Sequence, residues 1–158
     1  MQTFSGMQRN FAYQKYINIA IVLALFIVYE SLSSIYIFMP PMLAVMFVIF
    51  IDSIQKEESI TLFATSFALM FFEAQKGYLI FSSIVYFTLV YRLIILKMDQ
   101  YVQCAICTKA IMVFLAYVGY YFFSYVLADT FLLALPEFSW YVIYYMVVEF
   151  LLLLIFKD

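Results

Sequence analysis

Two ionisable residues stand alone inside apolar runs: Arg92 interrupts YFTLVYRLIIL and Glu149 interrupts YYMVVEFLLLL. A charge in such surroundings is costly unless it turns inward and finds a partner. One reading makes Arg92 and Glu149 an intramembrane pair at matching depth, extended by Tyr91 or Tyr145. The other places them on an ion or proton path, which would ask for more polar groups at mid-depth than the chain offers. A further carboxylate, Glu73, lies in FFEAQKGYLIF, where Glu73, Gln75, Lys76 and Gly77 separate two apolar runs. This stretch reads as a tight outward-facing turn, with Gly77 supplying backbone freedom. The alternative is Glu73 as a functional carboxylate at a membrane interface. Cys104-Ala-Ile-Cys107 has the spacing of redox or metal pairs. Zinc would need a second pair or histidines, so ordinary helix packing is expected of both thiols.

The chain contains no histidine and only these two cysteines. That excludes His-based metal sites, Ser/His and Cys/His nucleophile systems, and a disulfide framework. A non-enzymatic protein without metal or cofactor is expected. The formal net charge of −2 gives no basic field for nucleic acid.

The elements that would position these residues follow from composition. Of 158 residues, 68% are hydrophobic and 11% charged, whereas a soluble domain would be about a quarter charged. A chain this short cannot bury so many large apolar side chains in its own core. Lipid is the solvent that fits, and a single integral membrane domain over 1–158 is expected. The N-terminal MQTFSGMQRNFAYQKY carries cations but no small-residue cleavage site after a short apolar run, so it reads as retained.

The polar interruptions predict an all-α bundle of six spans, at about 16–29, 35–51, 59–72, 78–96, 105–128 and 139–156. The cluster ESLSS ends the first span, and Pro40 and Pro41 mark the candidate start of the second helix. Asp52 to Glu58 forms a hydrophilic loop, as do KMDQYVQ and the Pro136-Glu137 region. With both termini in the cytoplasm, Arg9, Lys15, Lys56, Arg92, Lys97, Lys109 and Lys157 fall on or near the inner side and only Lys76 outside. This segregation is the positive-inside pattern. Tyr117, Tyr120, Tyr121 and Tyr125, Tyr141 and Tyr145, and Trp140 read as interface anchors and packing residues, with a partner-docking stripe as the alternative. Small residues four apart, Ala20/Ala24, Ala64/Ala68 and Ser124/Ala128, predict close helix contacts.

The order of these features resembles the bacterial rod shape-determining MreD family. It shows in PPMLAVMFVIFID opening the second helix, a charged loop, a short third helix and a polar turn with glycine. KGYLIFSSIVYFTLVYRL then follows. Pro41 matches the family's proline at the start of helix two, and Gly77 the glycine opening helix four. The family carries an acid and a further glycine near LDxxxG, where this chain has LMFFEAQKG, with Glu73 nearer Gly77. The resemblance implies a six-span inner-membrane subunit, similar in fold to the substrate-binding subunits of energy-coupling-factor transporters. Its implied partners are a bitopic MreC-like protein and an MreB-like filament. Two rivals remain: a solute-binding transporter subunit, and an assembly factor for another envelope complex such as a motor or secretion system.

Overall fold

The apolar runs fold as helices throughout, and the computed structural model contains no strand among its described residues, 4–101, 104–131 and 139–155. Side chains are described for 14, 16–98, 104, 106–131 and 139–155. The expected loop at Pro136 and Glu137 lies outside the described residues, as does Lys157. Among the described residues the chain forms six helical rods. They are α1 (Phe4–Ile35), α2 (Leu43–Gln55), α3 (Ser59–Lys76), α4 (82–101), α5 (105–131) and α6 (Tyr141–Ile155). Both α4 and α5 contain a wide π-helical turn, Tyr91–Ile95 in one and Leu115–Gly119 in the other.

Several helix ends differ from the hydropathy reading. Helix α1 continues through ESLSS to Ile35. There the hydroxyl of Ser31 donates to the carbonyl of Ile27 at 2.8 Å, so a polar residue is absorbed without leaving the helix. The prolines do not open α2. Pro40 and Pro41 lie buried in the preceding segment, and the helix begins at Leu43 with Met42 as its N-cap. A residue that precedes proline is disfavoured in the helical region, and Pro40 accordingly lies outside any helix. Glu73 to Lys76 form the last turn of α3, and Gly77 caps it at φ 73°, a conformation glycine adopts without strain.

Hydrogen bonds between rods fix their directions. Tyr145 donates to the carbonyl of Ile37, and Glu149 accepts from Ala44, so α2 and α6 run parallel. Lys109 donates to the carbonyl of Leu153 and Tyr117 to Glu149, which makes α5 antiparallel to α6. Ser82 meets Tyr120, and Tyr86 donates to Leu115, so α4 is antiparallel to α5. Phe47 and Phe50 of α2 pack on Phe87 of α4, with the closest ring centroids 4.6 Å apart. Leu69 and Phe72 of α3 and Tyr120 of α5 complete this core.

The outside of the bundle is as apolar as its inside. Phe63, Phe122, Trp140 and Ile155 are each more than two-thirds exposed. Tyr16–Ile35 and Ile106–Phe131 are helices long and apolar enough to cross a membrane, while Leu43–Gln55 and Tyr141–Ile155 are shorter apolar helices.

Candidate functional site: buried carboxylates at two helix N-termini

Every helix N-terminus exposes backbone N–H groups without intrahelical partners and carries a partial positive charge. At α2 and α4 the usual remedy is missing. Their N-cap residues are Met42 and Phe81, in the left-handed region at φ 53° and φ 74°, and neither side chain makes a capping bond. Non-glycine residues hold that conformation only when their surroundings impose it. In both places a fully buried glutamate from another helix supplies the missing acceptors.

At α4 the glutamate is Glu73, from the last turn of α3. Its Oε2 accepts the Phe81 N–H at 2.6 Å. Its Oε1 accepts the Ser82 hydroxyl at 2.9 Å and the Ser83 N–H. The Ser82 hydroxyl in turn meets the Tyr120 hydroxyl at 3.0 Å, which ties α5 into the network. Gly77 makes the arrangement possible, because its left-handed turn folds the chain back within a few residues of Glu73. Glu73 thus points into the protein, and the turn expected at Glu73 to Gly77 begins only at Gly77.

At α2 the glutamate is Glu149 of α6. Its Oε2 accepts the Ala44 N–H at 2.7 Å, and Tyr117 of α5 donates its hydroxyl to Oε1. The N–H groups of Leu43 and Val45 face it as well. Glu149 therefore does find partners, but Arg92 is not one of them. Arg92 is exposed on the wide turn of α4. The expected match in depth is not found: α5 meets Glu149 through Tyr117 and Tyr86 of α4 through Leu115, and Arg92 lies six residues, about 9 Å, further along α4 and is exposed. Tyr145 is spent on the Ile37 carbonyl and Tyr91 is half-buried on α4.

The two sites share helix α5, which carries Tyr117 to one and Tyr120 to the other. Between these tyrosines Gly119 lets Tyr86 approach, and the Tyr86 hydroxyl donates to the Leu115 carbonyl at 2.8 Å. That carbonyl opens the wide turn, where the hydrogen-bond ladder is loosened and a side-chain donor is welcome.

A third glutamate, Glu30 of α1, has no accessible surface, and neither of its carboxyl oxygens has a hydrogen-bond partner. Nearby, Tyr29 donates to the Pro40 carbonyl at 2.9 Å and Ser33 to the Met39 carbonyl at 3.0 Å, pinning the segment before α2 against α1.

The other expected groups fall elsewhere. Cys104 and Cys107 are both exposed at the start of α5, not packed. The Cys107 N–H donates to Cys104 Sγ at 3.4 Å, and a hydrogen bond from the Cys107 side chain holds the Cys104 thiol below its ordinary pKa. Tyr117 and Tyr120 are buried polar partners, whereas Tyr125, Tyr141 and Trp140 are exposed. Ser124 and Ala128 are buried and Ala68 packs in the core, but Ala20 and Ala24 face outward. Among the described residues no group of three or more His, Cys, Asp or Glu could hold a metal ion. Sequence reasoning missed Tyr117 and Tyr120 as members of polar networks and Glu30 as a buried carboxylate. Glu30 had a signal, a carboxylate between apolar runs like Glu149, but its place in ESLSS made it read as loop. Compared with known proteins, the chain matches no family model, no curated protein and no solved structure.

Proposed function

We propose that this chain is a six-span subunit of a bacterial inner membrane, with both termini cytoplasmic. On this reading it docks other membrane proteins of the cell-elongation machinery through helix–helix contacts. Its partners would be a bitopic MreC-like protein and, through the assembled complex, an MreB-like filament, as the resemblance implies. The observation that supports this reading is where the polar chemistry goes. Glu73 and Glu149 spend their oxygens on backbone N–H groups and hydroxyls of the bundle itself. They hold helices in place and leave an apolar outer face, with Leu25, Val28, Phe63 and Phe122 exposed, for lipid and partner helices.

Depletion in the native host should round or swell the cells, and purification in mild detergent should recover a single-span envelope protein. Normal cell shape, with a small solute retained through purification, contradicts the docking role. One feature favours the transporter-subunit reading: a buried carboxylate without a partner, Glu30, is a feature of binding sites more often than of scaffolds. The same purification separates the two readings.

A further inference from the structure

Glu30 differs from the other two buried glutamates in having nothing to hold. Glu73 and Glu149 each close a helix N-terminus, but both oxygens of Glu30 lie at zero exposure with no donor in reach. The groups facing it come from four helices. On α1 itself, Tyr29 beside it and Ser33 one turn on spend their hydroxyls on the carbonyls of Pro40 and Met39. From α3 comes Lys76, from α6 Glu149 and from α5 Tyr117, near enough to interact electrostatically but not to bond. Tyr117 is already committed to Glu149.

An ionised carboxylate at this position would be an uncompensated buried charge, with a second acid, Glu149, nearby. A neutral carboxylic acid would not. Lys76 is exposed at the end of α3, and its cation can compensate Glu30 only from a distance as the bundle stands. We propose that Glu30 is an exchangeable proton-binding site, neutral in the closed arrangement of α1, α3 and the 36–42 segment and ionised when that arrangement opens toward Lys76. The ligand is the proton itself. The site is separate from the docking surface and needs no partner protein.

The purified full-length chain in detergent tests this with dicyclohexylcarbodiimide, which adds to protonated carboxyl groups in apolar surroundings. After digestion, mass spectrometry should place the adduct on Glu30 and not on Glu73 or Glu149. Its yield should fall about ten-fold for each pH unit beyond the midpoint, as for a single titrating group. Lys76→Gln removes the cation that favours the ionised form, so labelling should persist to higher pH. An infrared band of a protonated carboxyl, lost in Glu30→Gln, gives a readout that needs no reagent entry. The proposal is overturned if Glu30 shows neither adduct nor band, or if its labelling ignores both pH and Lys76. Protection by sodium over choline at fixed pH overturns it too, since the ligand would then be a metal cation.

Discussion

A buried backbone N–H without an acceptor costs as much as the loss of a good side-chain contact, and Glu149 and Glu73 supply the acceptors at the first turns of α2 and α4. Glu73→Ala and Glu149→Ala should each destabilise the protein in detergent by about 1–3 kcal/mol, the usual penalty for leaving buried donors unsatisfied. Thermal unfolding reads this directly, and an unchanged melting temperature for both would remove the capping role. Glu149→Gln should be milder, because an amide oxygen can still accept the Ala44 N–H. Gly119 is the second sensitive position. A methyl group there would run into the Tyr86 hydroxyl. Gly119→Ala should therefore cost about 1–3 kcal/mol, as overpacking does. Tyr86→Phe in the same chain should recover part of that loss, since it deletes the atom struck. Equal damage in the single and double variants would place the strain elsewhere.

At the scale of elements, the acceptor for the first turn of α2 comes from α6, 105 residues further along the chain. Hydrogen exchange of Glu149→Ala should rise first at Leu43 to Val45, with α3 unchanged; uniform exchange across the bundle would mean that Glu149 supports the fold as a whole instead. This long reach also explains what could and could not be read from the sequence. Hydropathy located all six rods, because each needs a long apolar stretch whatever it packs on. It misplaced their ends at ESLSS and EAQK. Polar residues there mark a change of surroundings, while the helix ends only where its donors and acceptors change hands. The proline pair came within two residues of the start of α2, since proline restricts the backbone locally. Gly77 was legible for the same reason. The partners of Glu149 were not, because they come from α2 and α5, and counting residues from the span ends does not say which helices are neighbours. Cys104 and Cys107 were read as packing residues from their usual burial, yet the start of α5 leaves them outside the core.

In the molecule as a whole, buried Glu73 and Glu149 are satisfied by neighbouring helices, and the outer face carries many exposed apolar side chains. Among the described residues two helices are long and apolar enough to cross a membrane. The shorter ones would cross as part of the assembly, α2 with 13 residues reaching only about 20 Å. In the segment before it, Tyr29 and Ser33 of α1 satisfy the carbonyls of Pro40 and Met39, and Pro40 and Pro41 are buried, while Tyr36, Ile37 and Phe38 are exposed. On the proposed six-span reading, the segregation of seven cations from Lys76 would give the arrangement a direction. The most direct measurement is the accessibility of single cysteines at positions 56 and 76, in a chain with Cys104 and Cys107 replaced by serine. In intact cells stripped of their outer barrier, a membrane-impermeant thiol reagent should label position 76, and should reach position 56 only after the membrane is permeabilised. Labelling of both positions from the same side, or of 56 before 76, would contradict the six-span membrane bundle.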